Sequence, residues 1–421
     1  MSVSPAHHAN RTEADLRVAP VITGLGVLAA NGIGVEEYWA AVLSGESGLA
    51  EITRFDPAGY SAKLAGQVDA DFSALPNRLM PQTDHMTRLA LLAAAEAFED
   101  ADVDPHQLPE YAAGVITGAS AGGFEFGQRE LEALWSKGGE YVSAYQSFAW
   151  FYPVNSGQIS IRHALRGASG TVVAEQAGGL DALGKARRNI RTGTDLMVAG
   201  AVDGSLCPWG WLCQIRSGRL TDATDPAAAF LPFDRRAAGH VPGEGGALLI
   251  MEHPEHVARR GVDPVHEVHG VLAGHSATFD PAPGSDAPSG LRRAIEQALR
   301  DAGISPREVD VVFADGAGVP HLDAAEATAI AEVFGPRGVP VTVPKTMTGR
   351  LLAGGGPLDV ATALLSIRDG VIPPTVNIER PAGHPIDLVR DTPRETPLTT
   401  ALVLARGHGG FNSAVVVRRA A

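Results

Sequence analysis

The stretch that decides the fold is Gly170-Thr-Val-Val-Ala-Glu-Gln-Ala-Gly-Gly-Leu-Asp-Ala-Leu-Gly184. Its β-branched opening predicts a short strand, and the small residues around Gln176 predict a sharp turn and the start of a helix. Such an elbow presents one side chain at a helix N-terminus, where backbone N–H groups and the helix dipole favour developing negative charge. Enzymes place a nucleophile at elbows of this kind, but the amide of Gln176 cannot be one. The sequence therefore indicates the scaffold of a covalent catalyst without its nucleophile.

Around this elbow, short apolar strands alternate with helices along the chain. Strands are predicted at residues 21–27, 114–117, 195–200, 247–252, 309–314 and 339–343, and helices at residues 87–100, 322–334 and 358–369. This alternation predicts a layered α/β protein with largely buried sheets. The polar segment 254–264 is predicted to be a loop.

Composition and charge exclude several classes of protein. Of the 421 residues, 45% are hydrophobic and 19% are charged, which is typical of a globular chain. The net charge of −14 argues against a nucleic-acid-binding surface, and no apolar run reaches the roughly 18 residues needed to span a bilayer. Cys207 and Cys213 have no metal or redox spacing, so they are predicted to be buried thiols of a cytoplasmic protein. Residues 1–19 lack a signal-peptide core and are predicted to be a disordered N-terminal extension.

Several motifs resemble those of the β-ketoacyl synthases. The elbow resembles their active-site elbow, with Gln176 where those enzymes carry Cys. Pro232-Phe-Asp-Arg, followed by Gly243-Glu-Gly-Gly-Ala, resembles the family's PFD…GEGA hairpin, and Gly407-His-Gly-Gly-Phe-Asn412 resembles its C-terminal glycine turn. Val173-Ala-Glu-Gln-Ala-Gly-Gly-Leu-Asp181 resembles the signature of chain length factors, the second ketosynthase-like subunits of bacterial aromatic (type II) polyketide synthases. The resemblance extends from residue 21 to the C-terminus.

The resemblance implies a thiolase-like α/β fold, in which two duplicated halves form five layers in the order αβαβα. Residues 20–260 would form the N-terminal ketosynthase-like half, and residues 261–421 would form the C-terminal half. In this fold the strand before the elbow, here residues 171–174, pairs across a two-fold axis between subunits. The resemblance implies neither a metal ion nor an organic cofactor.

Condensing members of the family use two His residues and a nearby Lys. The resemblance places Asp315 at the first His position and Arg350 at the second, and it retains the Lys as Lys345. A carboxylate accepts hydrogen bonds only and repels an enolate, while a guanidinium does not release its proton. Our hypothesis is that Asp315 and Arg350 form an ion pair, with Lys345 as a candidate third partner, that fills the former catalytic pocket. Condensation by this chain alone is therefore not expected.

A second informative segment covers residues 122–135, where Phe124, Gly127 and Leu131 share one face at helical spacing. A mid-helix glycine costs ~1 kcal/mol relative to alanine, which indicates that open space is wanted at position 127. In chain length factors this segment closes the end of the tunnel that receives the growing polyketide, and bulky side chains there limit product length. The resemblance carries that role to these three residues and predicts a product longer than the octaketide of members with bulkier residues, a decaketide or longer.

Two apolar groups have no assigned function. Leu134 and Trp135, on the same segment, are expected to face the core. A dense aromatic cluster, which suits either a core or a subunit interface, is formed by Tyr145, Phe148, Trp150, Phe151 and Tyr152. The sequence leaves both interpretations of this cluster open.

The resemblance implies a non-condensing chain length factor subunit that forms a heterodimer with a Cys-bearing ketosynthase. The other partners would be an acyl carrier protein and the growing polyketide chain, without nucleic acid or membrane. The alternative is a malonyl-acyl carrier protein decarboxylase that supplies the acetyl primer through Gln176, since Gln in place of Cys accompanies decarboxylation in ketosynthase-like loading domains. Those domains keep their His pair, which this chain lacks.

Overall fold

The computed structural model describes residues 18–263, 268–280 and 288–420. Its helices are α1 (Val35–Ser44), α2 (His85–Asp100), α3 (Phe124–Lys137), α4 (Gln146–Ala149), α5 (Val154–Arg162), α6 (Gly178–Arg191), α7 (Pro208–Ile215), α8 (Pro254–Arg260), α9 (Pro288–Ala302), α10 (Pro320–Phe334) and α11 (Gly355–Asp369). In the part of the chain that is described, no helix is both long enough and apolar enough to cross a membrane. The predicted extension, residues 1–19, lies outside the described residues except for its last two positions.

The strands complete an alternating α/β arrangement. They are β1 (Val21–Ala29), β2 (Gly32–Ile33), β3 (Leu49–Glu51), β4 (Leu64–Gly66), β5 (Ala113–Gly118), β6 (Ser169–Val172), β7 (Leu196–Asp203), β8 (Gly245–Glu252), β9 (Gly270–Phe279), β10 (Val311–Phe313), β11 (Pro340–Thr342), β12 (Val371–Ile372), β13 (Asp387–Leu388), β14 (Arg394–Glu395), β15 (Thr400–Arg406) and β16 (Phe411–Arg418). All six predicted strand segments overlap strands of the structure.

The strand order shows an internal repeat. Outward from the centre, one half runs β1-β8-β7-β5-β6 and the other runs β9-β16-β15-β10-β11, followed by β13. In each half the first two pairings are antiparallel and the next two are parallel. The halves join where the start of β1 pairs with the start of β9. The predicted thiolase-like α/β fold is confirmed.

Three apolar clusters show how helices cover the two half-sheets. One cluster packs α2 and α5 against the outer face of the first half, and another packs α9 and α10 against the outer face of the second half. The largest cluster lies between the halves and contains the apolar faces of α6 and α11. The layers therefore follow the order αβαβα, with the apolar faces of α6 and α11 packed between the two half-sheets.

Glycines bring α6 and α11 close together in the central layer. A Cβ on Gly179 would lie 2.1 Å from the carbonyl oxygen of Ala353, and a Cβ on Gly356 would lie 2.7 Å from Cγ of Leu180. Real Cβ atoms do not tolerate such distances, because protein interiors are close-packed. The small residues after the elbow therefore allow α6 and α11 to cross at close range, in addition to allowing the sharp turn.

The loop prediction for residues 254–264 is wrong over its first part, because α8 occupies Pro254–Arg260. Proline stands at the first helical position, and the ring of His253 accepts a hydrogen bond from the backbone N–H of Glu255 at 3.2 Å. His256 and Val257 are buried, so the polar residues that suggested a loop are the outer face of a short amphipathic helix.

The prediction that Leu134 and Trp135 face the core is also wrong. Trp135 is 82% exposed and Leu134 is 37% exposed. Neighbouring segments also expose large apolar side chains, which we call the aromatic face. The aromatic face comprises Leu131, Leu134, Trp135, Tyr145, Phe148, Trp150, Phe151, Tyr152, Ile161 and Val173. The face lies beside β6, which ends the sheet and leaves its outer edge unpaired among the described strands.

Candidate functional site

The elbow has the predicted strand–turn–helix geometry. β6 is followed by Glu175, whose φ of 48° is left-handed and rare for a residue with a side chain. A single turn then leads into α6. The carboxylate of Glu175 accepts a hydrogen bond from the backbone N–H of His408 at 2.7 Å. The C-terminal glycine turn therefore holds the strained elbow in place.

Gln176 occupies the position where the elbow presents its side chain. The residue is 1% exposed, and its Oε1 has no hydrogen-bond partner among the described residues. Its Nε2 rests against the start of α11, since a Cβ on Gly355 would lie only 2.7 Å from it. The side chain is thus buried at a helix N-terminus, but an amide cannot form the covalent intermediate that such a position serves in enzymes.

Asp315 and Arg350 form the predicted ion pair. The guanidinium donates two hydrogen bonds to the carboxylate, Nη1 to Oδ2 at 2.9 Å and Nη2 to Oδ1 at 3.1 Å. Both residues are buried. Burial alone would raise the pKa of Asp315, but the charge and hydrogen bonds of Arg350 outweigh it and hold that pKa below its ordinary value. The backbone N–H of Arg406 donates a further hydrogen bond to Oδ1 at 3.1 Å.

Lys345 does not join this pair, so that part of the hypothesis is wrong. Its Nζ donates to Oδ2 of Asp359 at 2.5 Å and to the carbonyl oxygen of Ala314 at 2.7 Å. Burial raises the pKa of Asp359 to about 6, although Lys345 opposes the shift. This region therefore holds two separate buried ion pairs. Each carboxylate neutralises a cation that would otherwise be buried without a counter-charge.

Two further titratable residues at the site were not found by sequence reasoning. Glu326 on α10 accepts hydrogen bonds from the backbone N–H groups of Asp315 and Gly316, at 2.7 and 2.9 Å. Burial and the nearby Asp315 carboxylate raise its pKa. Burial and the charge of Arg350 lower the pKa of His240 to about 3, and its Nδ1 has no partner among the described residues. Glu326 lies 11 residues after Asp315, on the helix that follows the Asp315 loop, so its proximity could have been inferred from the sequence. His240 comes from a segment that is distant along the chain, and no sequence motif marks it.

The ion pair lies in the wall of a cavity and does not fill it, contrary to the hypothesis. The cavity has a volume of about 440 Å³. Its lining includes Ser120, Ala121, Phe124, Gln176, Ser205, Cys213, Gln214, His240, Asp315, Arg350 and Phe411. Cys213 is exposed here, so the prediction that it is buried is wrong, whereas Cys207 is buried as predicted. The site therefore retains space, and its elbow presents an amide rather than a nucleophile.

The residues of the predicted gate lie at different depths. Phe124 lines the cavity and packs against Trp209 of α7, with ring centroids 4.6 Å apart. The expectation of open space at Gly127 is wrong, because a Cβ there would lie 3.4 Å from Cβ of Trp150 and 3.5 Å from Cζ3 of Trp209. Leu131 lies farther out and is 37% exposed. Trp209, which the sequence did not single out, therefore occupies the space beside the glycine.

Comparison with known proteins identifies the fold family of this site. Residues 19–256 match the beta-ketoacyl synthase N-terminal domain, and residues 267–379 match the beta-ketoacyl synthase C-terminal domain. The chain belongs to the β-ketoacyl synthase family.

The relatives within the β-ketoacyl synthase family include subunits of polyketide synthases. The actinorhodin polyketide beta-ketoacyl synthase 2 of Streptomyces coelicolor is 61% identical over 403 residues, which cover 95% of this chain and 98% of the relative. The tetracenomycin polyketide synthase ketoacyl synthase beta subunit of Streptomyces glaucescens is 60% identical, with the same coverage. The solved structure of the ishigamide ketosynthase/chain length factor superimposes with a TM-score of 0.88 at 27% identity, covering 96% of this chain and 100% of that chain.

The buried Asp315–Arg350 pair generates a stability prediction. Asp315→Ala and Arg350→Ala should each lower the free energy of unfolding by about 3–5 kcal/mol, because each leaves a buried charge without its partner. The double variant should lose less than either single variant, as expected for a coupled pair. Pulse proteolysis in urea at low protein concentration measures these changes.

The pair of Asp387 and Arg394 provides the control, since it is also bidentate, at 2.5 and 3.0 Å, but is more than one-third exposed. Its changes to Ala should cost about 1 kcal/mol or less. Because the pKa of Asp315 is lowered, the contribution of the buried pair should be complete above about pH 4 and lost only as the pH falls through the lower folded value. Equal losses for the buried and the exposed pair would contradict the prediction.

Proposed function

We propose that this chain is the chain length factor of an aromatic polyketide synthase. It performs no condensation by itself, pairs with a Cys-bearing ketosynthase, and shapes the tunnel that sets polyketide length. The observation that carries the proposal is Gln176, buried on an elbow whose architecture is otherwise intact. The ion pair of Asp315 with Arg350 supports it, because neither side chain is free to bind a thioester carbonyl or to transfer a proton.

The aromatic face supports pairing with a second subunit. Monomeric proteins rarely expose large contiguous apolar patches, and aromatic side chains are enriched at the centres of interfaces. Trp150, Phe151 and Tyr152 form consecutive ring contacts, with centroids 6.0 and 6.2 Å apart. The unpaired edge of β6 lies beside this face and offers backbone groups to a matching strand of a related subunit. A ketosynthase with the same fold presents such a strand.

The proposed partners have counterparts among the matched structures. One is a type II polyketide synthase acyl-carrier protein in complex with its ketosynthase bound to the hexaketide, with a TM-score of 0.86 and 28% identity over 96% of this chain. In our proposal the partner ketosynthase supplies the thiol nucleophile and receives extension units from an acyl carrier protein. This chain supplies the far part of the tunnel.

The length gate of this proposal consists of Phe124, Gly127 and Leu131 on α3. Phe124 blocks one wall of the cavity, while Leu131 provides less bulk than an aromatic side chain. Trp209 fills the space beside Gly127, so openness at position 127 no longer supports a long product. The proposal of a product longer than an octaketide therefore depends on Leu131, which carries less bulk than an aromatic residue and lies outside the cavity, in a depression that Trp135 and Trp209 also line.

A second candidate function is decarboxylation of malonyl-acyl carrier protein to supply the acetyl primer. One observation favours it, namely that Oε1 of Gln176 is buried without a partner at the cavity wall. An unpaired amide is costly to bury unless a ligand satisfies it. The anionic Asp315 counts against this function, because it would repel the enolate that decarboxylation produces.

The first functional prediction concerns assembly. Produced alone, the chain should aggregate, and produced with its ketosynthase it should elute from a sizing column as a one-to-one complex. Phe151→Asp should weaken pairing by about 2 kcal/mol or more, as expected for an interface aromatic. Tyr111→Ser is the control, because Tyr111 is exposed outside the aromatic face. A stable, dispersed monomer of the unchanged chain would count against an obligate subunit.

The second prediction separates the two candidate functions. Gln176→Ala should leave product length and priming unchanged and should destabilise the complex only modestly. Gln214→Ala, which also removes an amide from the cavity lining, controls for a change in volume. The readout is the product formed by the reconstituted synthase from malonyl-carrier protein, with and without added acetyl primer. Loss of product that acetyl primer restores only for Gln176→Ala would favour the decarboxylase.

The third prediction concerns the gate. Gly127→Thr with Leu131→Phe should shorten the product, since the added atoms press on Trp209 and occupy the outer end of the gate. The expected change is about one or two ketide units for each aromatic ring's worth of volume, because each unit adds only two backbone carbons and interiors are close-packed. Mass spectrometry of the products measures it. Gly59→Thr, where a Cβ meets nothing within 4 Å, is the control. Unchanged length in a stable, active double variant would place the gate elsewhere.

A further inference from the structure

The gate helix α3 is weakly held by apolar packing. In α3 only Phe126, Gly127 and Glu130 are buried, whereas Leu131 and Trp135 are exposed. A helix that presents its large apolar side chains to the outside does not gain its position from the core. Polar contacts must therefore contribute to the position of Phe124 at the cavity wall.

The first such contact is at the N-terminus of α3. Gly123 stands at the cap position and provides no side-chain hydrogen bond. Instead, the buried carboxylate of Asp84 accepts from the backbone N–H of Phe126 through Oδ2 at 2.8 Å. Its other oxygen accepts from the N–H of Met86 at 3.0 Å and caps α2. One carboxylate thus caps two helices and fixes the start of α3 relative to α2.

The second contact is at the N-terminus of α7. Cys207 stands at its cap position, again without a side-chain hydrogen bond. The backbone N–H of Trp209 donates to Oε1 of Gln128 on α3 at 2.8 Å. Nε2 of Gln128 donates to Oε1 of Glu132, one turn farther along α3, at 2.8 Å, which holds the amide in the orientation that presents its oxygen to α7.

These contacts connect α2 to α3 and α3 to α7 at the point where the rings of Phe124 and Trp209 meet. We propose that Gln128 is a positioning residue for product length, because it holds Trp209 against Phe124 and Gly127, with Asp84 fixing the helix that carries it. This inference deepens the proposed function and rests on it. Gln128 itself does not line the main cavity, so it acts through the two aromatic rings.

The physical consequence of losing this contact is local. Without Oε1 of Gln128, the N–H of Trp209 is left with the Cys207 sulfur, a weak acceptor, and with water. A helix cap of this type is worth about 1 kcal/mol, which corresponds to about a fivefold change in a local opening equilibrium. The start of α7 would open more often, the indole would leave Gly127, and the gate would widen.

The test uses the complete complex with its ketosynthase and carrier protein. Gln128→Leu keeps the side-chain volume but removes the acceptor, and it should shift the product distribution to longer chains. Hydrogen exchange measured by mass spectrometry should show the N–H of Trp209 exchanging about fivefold faster. The double variant Gln128→Glu with Glu132→Gln keeps both hydrogen bonds with the donor and acceptor exchanged between the two side chains, and it should restore native length and protection. Glu132→Gln alone and Gln107→Leu, an exposed site outside α3, are the controls.

Asp84→Asn provides a second variant if Gln128→Leu does not assemble. Its amide oxygen can still cap α2, but its amide nitrogen cannot accept from Phe126, and the product should again lengthen. Unchanged product length in an assembled Gln128→Leu complex overturns the inference, whatever the exchange rate at Trp209. A longer product that the exchanged double variant fails to restore also overturns it. The variants Gly127→Thr and Leu131→Phe, combined and measured in parallel, show whether the gate itself fails or only its positioning by Gln128.

Discussion

The close crossing of α6 and α11 is the constraint on which the rest of the structure depends. Gly179 and Gly356 let the two helices approach until a side chain on either would overlap the other helix. This contact sets the separation of the two half-sheets, because the apolar faces of α6 and α11 are packed between them. The elbow is the start of α6, and the amide of Gln176 rests on the start of α11. The elbow is therefore retained by packing, even where it carries no nucleophile.

Charge balance organises the loops that carry Asp315, Lys345 and Arg350. Asp315 is held by the guanidinium of Arg350, and the loop that carries Asp315 is held by the carboxylate of Glu326 through two backbone N–H groups. Lys345 is neutralised separately by Asp359. Each buried charge has a partner, as burial requires. The same pairing leaves neither Arg350 nor Lys345 without a carboxylate partner.

On the side of the molecule that carries α3, hydrogen bonds contribute more to the arrangement of the helices than apolar packing does. Its large apolar side chains point outward, and side-chain caps from Asp84 and Gln128 connect α2, α3 and α7. An exposed apolar surface of this kind is typical of a site that a second apolar surface covers. Its internal geometry is set by hydrogen bonds that remain satisfied in the absence of a partner. Hydrogen bonds therefore fix the arrangement of α2, α3 and α7, whereas exposed apolar side chains provide the surface that a partner can cover.

The sequence by itself determined the features that depend on neighbours in the chain. Residue order alone predicted the strand–turn–helix at Gln176 and the alternation of strands and helices. It also showed the opposite charges at positions 315 and 350, although the prediction that they pair needed the family resemblance as well. Only the tertiary structure decided contacts between distant elements. Trp209 fills the space beside Gly127, Asp359 rather than Asp315 pairs with Lys345, and Trp135 lies outside the core. The local sequence pattern indicates the backbone preference and the polarity of a residue. Its contacts with distant residues depend on how helices and sheets pack, which no single segment specifies.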